Sequence, residues 1–362
     1  MSRLVEYKDI MAFHPGYYVA DIIEDMDISQ TEFAKRLNTT PKNISKLING
    51  QIKLSDEIAK KLSMMLGTSA DIWLNFQKEF DMKVLEIKRQ KEIDAQAEIV
   101  KMIDYSYFVK IAGLPKADKS YDKVINLCSF FKVSDLHILR EPDFLVNYRM
   151  GITEVQDKNT INAKAWLQTA INFANTNTLG TFNISKLKKS LPQIREMTLQ
   201  KPEEFMPKIK EIFSKCGIMF VLLPHLKNSG INGAVKWFSS EKVMIAINDR
   251  RCYADTFWFS LFHEIKHVMQ QKHKITFISS NDEKLENELE QEADQFARDY
   301  LIPPEEYAKI RHNNYVKDTE ICRFAKNIEV HPGIVAGRLQ HDGVISQKRC
   351  AQLKVRYQII VL

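Results

Sequence analysis

Residues 255–268 read DTFWFSLFHEIKHV, and this stretch decides the fold of the C-terminal half of the chain. Aromatic and aliphatic side chains recur in it at the spacing of a helix that buries one face. His263 and His267 are four residues apart, so on a helix their side chains project from the same face. The stretch therefore predicts a strongly apolar helix that presents two imidazoles within reach of each other.

With Glu264, the two histidines complete the pattern His-Glu-x-x-His, which suits a bound zinc ion. Neutral imidazoles are good ligands for Zn²⁺, and three protein ligands leave a fourth position for water. We expect Glu264 beside the metal, where its carboxylate can take a proton from that water. The alternative is a helix whose histidines are ordinary surface or core residues. We favour zinc because an apolar helix leads into the motif and an acidic helix follows it.

The acidic helix is predicted to supply the third ligand. It runs through residues 286–297 and stops before Pro303. Glu290 and Asp294 are four residues apart and share a face, so Glu290 can bind the metal while Asp294 holds the N–H of a ligand imidazole. Glu292 is only the fallback ligand, because its side chain would point about 160° away from that of Asp294 around the helix, and Asp294 is expected to face the site.

These segments resemble the ImmA/IrrE family of metallopeptidases. The resemblance runs from about Trp166 to the end of the chain and rests on FSLFHEIKH (259–267), EQEADQFA (290–297), LIP (301–303) and IVAGRLQ (334–340). In that family the motif histidines and a downstream glutamate hold zinc, and the usual substrates are helix-turn-helix repressors. The resemblance implies a zincin-like peptidase in which His263, His267 and Glu290 are ligands and Glu264 is the base.

One position departs from the family pattern. The family commonly has glycine where this chain has Lys266, and a bulky cation there is expected to narrow the substrate cleft. The residue that stabilises a developing oxyanion is not marked by any motif. Tyr253, Arg250 and His225 are candidates for it, although a structural role is favoured for each of them.

The N-terminal part of the chain predicts short helices with clear caps. Ser29 is a good N-cap, and Glu32 three residues later predicts a capping box. Thr40 is a second N-cap, with Pro41 in the first helical position. The helices over 29–37 and 40–49 have the lengths and the turn of a helix-turn-helix, whose second helix enters the major groove of DNA.

Polar side chains on the outward side of the second helix are predicted to contact DNA. They are Lys42, Asn43, Ser45 and Lys46, which suit base edges or phosphates. Gln30, at the start of the preceding helix, suits a backbone phosphate. The alternative is a helical interaction module whose polar faces are merely solvated.

Residues 10–82 resemble HigA-type antitoxins of the Xre-like group. The segments that carry this resemblance are HPG (14–16), SQTEFA (29–34), ISKLING (44–50), LGTS (66–69) and WLN (73–75). The resemblance implies a double-stranded DNA operator as partner, binding as a homodimer, and a ribonuclease toxin as a second partner.

Composition sets the wider frame. The 362 residues are 44% hydrophobic and 27% charged, which is ordinary for a globular protein of two or three domains, and the net charge of +6 permits DNA binding. The five cysteines are dispersed, so we expect reduced thiols rather than a disulfide framework. The first residues lack the apolar run of a signal peptide, and no window approaches the roughly 18 apolar residues of a membrane span. We expect a cytoplasmic protein.

The predicted fold class is α+β, mostly α. We expect an all-α helix-turn-helix domain over residues 1–84, a helical linker subdomain over 85–155, and a zincin-like domain with a small β-sheet over 156–362. Ile218–Leu223 is predicted to be a buried strand, and Gly233–Ser239 with Val243–Asn248 a hairpin.

Three hypotheses follow for the whole chain. In the first, a DNA-binding regulator carries a zinc endopeptidase that cleaves a repressor or antitoxin protein. In the second, the chain is a non-catalytic antitoxin and transcription regulator whose C-terminal domain binds metal or a partner. In the third, it is a housekeeping peptidase whose helical domain recruits substrate.

Overall fold

The computed structural model describes residues 3–141, 157–174, 180–250, 253–271, 283–312 and 316–357, with the backbone alone for 283–286. In these residues the protein is mostly helical with two small sheets, which confirms the α+β class. The domain boundary predicted near residue 155 and Cys252 lie outside the described residues. None of the described helices combines the length and apolar character needed to cross a membrane.

Contacts between residues divide the chain into two compact units. The first comprises Met1–Glu98 with Lys119–Ile125, and the second comprises Ile99–Asp118 with Asn126–Leu362.

The first unit begins with a strand pair that the sequence analysis did not predict. β1 (Leu4–Tyr7) and β2 (Ile10–Phe13) are antiparallel and precede the first helix. Their inward side chains pack beside Phe80 and Ile87. The expected all-α domain is thus a helical domain with a short hairpin in front of it.

Five helices follow in this unit: α1 (Pro15–Asp25), α2 (Gln30–Arg36), α3 (Pro41–Ile48), α4 (Asp56–Leu66) and α5 (Ala70–Ala95). The boundary expected between residues 84 and 85 falls within α5. Neither glycine nor proline interrupts residues 70–95, so a single helix of 26 residues forms instead.

The caps of α2 and α3 hold the predicted turn between them. Ser29 Oγ accepts from the Glu32 N–H at 3.1 Å, and Thr40 Oγ1 accepts from the Asn43 N–H at 3.2 Å. The Glu32 carboxylate accepts from Arg36 Nε at 3.0 Å, so only half of the predicted capping box forms. Both helices bury their apolar faces in one core with α1, α4 and α5.

Gly16 sets how closely α1 approaches α3. A Cβ atom at this position would lie 1.9 Å from the carbonyl oxygen of Leu47 and 2.8 Å from Ile48 Cα. Real carbon–oxygen contacts are never that short, so any larger residue at position 16 would force the two helices apart.

The second unit contains the remaining helices and a mixed sheet. Its first helices are α6 (Ala97–Met102), α7 (Tyr105–Ala112) and α8 (Ser120–Phe131). Of α6 only residues 99–102, and of α8 only residues 126–131, belong to this unit. They continue as α9 (Asp157–Phe173), α10 (Ile184–Glu196), α11 (Pro202–Lys215), α12 (Ala254–Gln270), α13 (Glu283–Leu301), α14 (Pro304–Arg311), α15 (Asp318–Asn327) and α16 (Pro332–His341).

The sheet has the order β3-β5-β4, with β3 (Ile218–Leu222), β4 (Gly233–Ser239) and β5 (Lys242–Ile247). β3 and β5 are parallel, and β4 pairs with β5 antiparallel. The predicted strand and hairpin are therefore confirmed. The hairpin places β4 at the edge of the sheet, where α12 packs against β4 and β5.

One half-buried arginine anchors the end of α13. Arg195 of α10 donates to the carbonyl oxygens of Tyr300 and Leu301 at 2.9 and 3.1 Å, and to that of Ile328 at 2.7 Å. Burial lowers the pKa of this guanidinium, but the three carbonyls satisfy its N–H groups. The last turn of α13 is therefore held in place by α10.

Candidate metal centre

α12 is buried along most of its length, which fixes its histidines. Trp258, Phe262 and Ile265 are fully buried in the core of the second unit. The helix also packs against α13 and α16. The Nε2 atoms of His263 and His267 lie 2.9 Å apart, on the side of α12 that contacts α13.

α13 brings two carboxylates to these histidines. Glu290 Oε2 lies 3.3 Å from His263 Nε2, and Glu290 Oε1 lies 3.3 Å from His267 Nε2. One turn later, Asp294 Oδ1 lies 2.9 Å from His263 Nδ1. One ligand atom each from His263, His267 and Glu290 can be chosen so that all lie within 4.8 Å of one another. The structure therefore brings together the four residues singled out for the metal and its surroundings.

Hydrogen bonds orient both imidazoles towards Glu290. His267 Nδ1 lies 2.8 Å from the amide oxygen of Gln270, which can only accept, so Nδ1 carries the hydrogen. The neutral ring then has its lone pair on Nε2. Asp294 plays the same part for His263. Two Nε2 lone pairs and a carboxylate form a donor set that fits a tetrahedral zinc ion with one open position.

The carboxylates reverse the usual effect of burial on His263. Burial alone would lower its pKa, but hydrogen bonds to Asp294 and Glu290 and the charge of Glu264 raise the pKa of His263 to about 10. In the metal-free protein, His263 is therefore protonated, and its positive charge offsets the negative charges of the carboxylates around it. A cation that binds the same atoms must displace that proton.

Glu264 lies beside the cluster and against the edge strand. Its side chain is 7% exposed. A Cβ atom on Gly233, the first residue of β4, would lie 2.9 Å from Glu264 Oε1. The absence of a side chain at Gly233 is therefore what leaves room for this carboxylate at the start of β4.

Lys266 and Glu292 have other partners than those anticipated. Lys266 Nζ lies 2.7 Å from Glu292 Oε1 and 5.6 Å from the centre of the Phe296 ring. Gln270 Nε2 donates to Glu292 Oε2 at 2.8 Å. Both carboxylate oxygens of Glu292 are engaged, so its fallback role as a ligand gains no support. Lys266 braces α12 against α13, and the expected narrowing of the cleft gains no support either.

Gln270 is a residue that the sequence analysis missed. It accepts from His267 and donates to Glu292 and to the carbonyl oxygen of Leu289 at 2.8 Å. The available signal was its position three residues after His267, on the same side of the helix. Its partners on α13 depend on how the two helices pack, which the sequence did not reveal.

The three candidates for an oxyanion-stabilising residue each have a structural partner. Arg250 Nη1 donates to the carbonyl of Gly230 at 2.6 Å, and the Tyr253 hydroxyl accepts from Arg356 Nη2 at 3.2 Å. His225 Nδ1 lies 3.3 Å from Ser229 Oγ, and burial lowers the pKa of this histidine.

In the first unit, the residues predicted to contact DNA lie on α2 and α3. Lys42 and Asn43 are exposed in the first turn of α3, while Ser45 and Lys46 are partly exposed one turn later. Gln30, the first residue of α2, is exposed. The opposite face of α3 is buried through Ile44, Leu47 and Ile48. The two faces of the helix are thus cleanly divided between core and solvent.

Comparison with known proteins matches both parts of the chain. Residues 19–73 match the helix-turn-helix family, and residues 222–340 match the IrrE N-terminal-like domain. The HTH-type transcriptional regulator YddM of Escherichia coli K12 is 30% identical over 92 residues, which are 24% of this chain and 98% of that protein. Virulence-associated protein I of Dichelobacter nodosus is 29% identical over 91 residues, or 25% of this chain and 84% of that protein.

Among solved structures, an addiction module antidote protein of a HigA family from Coxiella burnetii is similar at 28% identity. The match covers 23% of this chain and 92% of the antidote protein, with a TM-score of 0.22. From the two family matches and the similarity to YddM, the chain belongs, through its N-terminal part, to the helix-turn-helix family of DNA-binding transcriptional regulators, and it carries a metallopeptidase-like IrrE N-terminal-like domain in its C-terminal part.

Proposed function

We propose that this protein is a DNA-binding regulator whose C-terminal domain is a zinc-dependent endopeptidase that cleaves a repressor or antitoxin protein. The observation that carries the proposal is the convergence of His263, His267 and Glu290, with Glu264 buried beside them. Metal-assisted hydrolysis needs such a set: ligands that leave one position open and a carboxylate next to it.

The chemistry divides between the metal and the chain. Bound zinc would polarise the peptide carbonyl and acidify a water molecule. Glu264 is the residue that would take the proton and return it to the departing amine. Asp294 and Gln270 would hold the two imidazoles so that Nε2 of each ring stays available.

The edge strand suggests how a protein substrate is held. β4 pairs with β5 on one side only, among the described residues, so its other side can pair with an extended peptide. Gly233 begins β4 in contact with Glu264, so a peptide that pairs along β4 would run past this carboxylate. This geometry favours cleavage within a chain.

We further propose that α3 reads an operator in double-stranded DNA. Lys42 and Asn43 are exposed at its N-terminus, where a recognition helix meets base edges. A homodimer would contact two half-sites, and a ribonuclease toxin would be a further partner. The binding domain would then bring the peptidase to a regulated promoter.

The test pairs metal content with cleavage. The purified full chain should contain about one zinc ion and cut a helix-turn-helix repressor or antitoxin, while the Glu264→Gln variant should keep the zinc and lose at least about 100-fold in rate. Equal cutting by the variant would contradict the role of Glu264. Zinc binding without any cutting of the candidate proteins would favour the non-catalytic regulator instead.

A separate test addresses DNA. Lys42→Ala should weaken operator binding and reduce its salt dependence, and Asn43→Ala should also change sequence preference. Glu57, on α4, pairs with Lys61 of the same helix, so Glu57→Gln serves as a control on the same unit. Unchanged operator binding by both α3 variants would show that another element reads the DNA.

A further inference from the structure

A cavity of about 500 Å³ lies beside the metal centre, between α12, α13 and α16. Its wall includes Asn232, which directly precedes β4, Phe259 of α12 and Arg298 of α13. Phe259 lies one turn before His263, and its ring centre is 6.2 Å from that of His263. Arg298 lies one turn after Asp294, which binds His263. The cavity therefore begins one helical turn from the cluster, along both helices.

The wall of this cavity contains more cationic than anionic side chains. It contains four cationic side chains and one carboxylate, namely Arg250, Arg298, Arg338, Lys354 and Asp255. The carboxylate is already paired with Lys354 Nζ at 2.8 Å, and Arg338 is paired with Asp342 at 2.7 Å. A concave wall with this excess of positive charge attracts anions.

Arg298 is the cation with the weakest internal partner. Its one ion pair among the described residues is with Asp294, at 3.8 Å, and the other oxygen of Asp294 faces His263. The guanidinium can therefore form a shorter, bidentate pair with an added carboxylate.

Asn232 adds the opposite requirement. Its Oδ1 atom is buried and has no hydrogen-bond partner within the described part of the chain. A buried acceptor of this kind is costly unless an N–H group reaches it. A peptide residue with an acidic side chain supplies both complements: a carboxylate for Arg298 and a backbone N–H for Asn232.

We propose that this cavity is a specificity pocket that receives a glutamate or aspartate side chain of the substrate next to the cleaved bond. The proposal rests on the peptidase function proposed above and names its substrate class. The volume lies within the range of pockets that enclose small ligands. The edge strand would hold the substrate backbone, and the pocket would select one side chain from it.

A binding experiment tests the pocket without turnover. The full chain with Glu264→Gln is titrated with N-acetyl-glutamate amide and with N-acetyl-glutamine amide, and binding is followed by NMR. The two probes differ only in that a charged carboxylate oxygen is replaced by a neutral NH2 group. The acidic probe should bind at least about tenfold more tightly. Adding Arg298→Gln should remove that preference, and Arg298→Lys should keep part of it.

Arg323→Gln is the matched control, because Arg323 is exposed on α15 and outside the cavity wall. It should keep the full preference for the acidic probe. Zinc content is measured for every variant, so that a disturbed metal centre is not mistaken for a lost pocket. Equal binding of the two probes, binding of neither, or an unchanged preference in Arg298→Gln would overturn the proposal.

Cleavage assays separate this proposal from the one on which it rests. Peptides that carry Glu or Gln on either side of the cleaved bond should differ mainly in KM, and the difference should vanish in Arg298→Gln. Loss of all cleavage with the probe preference intact would contradict the peptidase and not the pocket. Cleavage with no preference for Glu would contradict the pocket and not the peptidase.

Discussion

Two helix-capping histidines, one in each unit, differ in charge state from His263 of the α12 cluster. His14 and His331 each precede Pro-Gly and cap a helix, and in both Nδ1 accepts from the glycine N–H at 3.0 Å. Burial lowers the pKa of both. His263 is also buried, yet carboxylates hold its pKa at about 10.

The comparison separates two effects that are often confused. Burial alone keeps an imidazole neutral, which suits a cap that must accept a hydrogen bond. Neighbouring carboxylates make an imidazole cationic until a metal ion replaces the proton. Carboxylate neighbours, rather than burial, distinguish His263, a proposed zinc ligand, from the capping histidines His14 and His331.

The largest expected effect concerns the two glycines whose N–H groups the capping histidines accept from. Gly16→Ala should destabilise the first unit by about 3 kcal/mol or more, because its Cβ would collide with the backbone of Leu47. Gly333→Ala should destabilise the second unit by less, because a Cβ atom at position 333 would lie 2.8 Å from its nearest neighbour, the carbonyl oxygen of Leu353. Urea unfolding of both variants measures the difference. Equal losses would show that the two caps are packed alike.

The second effect tests the cluster against the caps. His263→Ala should weaken zinc binding by at least about 100-fold, beyond the usual effect of losing an outer hydrogen-bond partner. His331→Ala removes a half-buried histidine of the same unit and should leave zinc affinity unchanged. Competition with a chromophoric chelator measures both. A loss of affinity in His331→Ala would show that zinc binding does not depend on the α12 histidines alone.

The third effect is the response of metal binding to pH. Because the folded pKa of His263 is raised to about 10, zinc must displace its proton throughout the neutral range. Affinity should therefore rise by about tenfold per pH unit for this proton. In the metal-free protein the sign is opposite: the stability that the raised pKa provides is present below the unfolded pKa, near 6.5, and is lost as pH rises through about 10. Titration calorimetry in two buffers counts the protons released.

The fourth effect concerns Gln270, which orients His267. Gln270→Leu should lower zinc affinity by about tenfold, because His267 loses the acceptor that fixes its tautomer. Gln295→Leu is the control, since Gln295 is exposed on α13 and donates to Asp299 of the same helix. A cobalt-substituted sample should show a changed visible spectrum for the first variant alone. Matching spectra would exclude a positioning role.

The smallest effect is that of His14. Its folded pKa is lowered by burial, so its contribution to stability is present above the unfolded pKa, near 6.5, and is lost as pH falls through the folded value. The loss is part of a cap contribution of about 1 kcal/mol. His14→Asn keeps an acceptor without titrating, so it should flatten the decline in stability between pH 7.5 and 5.5. An unchanged slope would mean that other groups cause the decline.

The sequence was informative wherever a local period or cap determines structure. The spacing of His263 and His267, the caps Ser29 and Thr40, and the hairpin of β4 and β5 all follow from interactions within a few residues. The choice of Glu290 over Glu292 also came from helical spacing. Its role as a ligand stays a prediction until zinc is measured.

What the sequence did not reveal depends on contacts between distant segments. β1 and β2 have only four residues each and pack against α5. The bond from Gln270 to Glu292, and the pairing of Lys266 with the same residue, need the register of two helices. The basic cavity needs three helices and the C-terminal segment, so no single stretch of the chain signals it.

The anchoring of α13 has a mechanical consequence. Arg195 fastens the last turn of this helix to α10, whereas its earlier turns are tied to α12 through Glu290, Glu292 and Asp294. A bound zinc ion would fix the part of α13 around Glu290 to α12, while Arg195 already fixes the last turn of the helix to α10. Zinc binding should then slow amide hydrogen exchange around Glu290 and change it little near Tyr300.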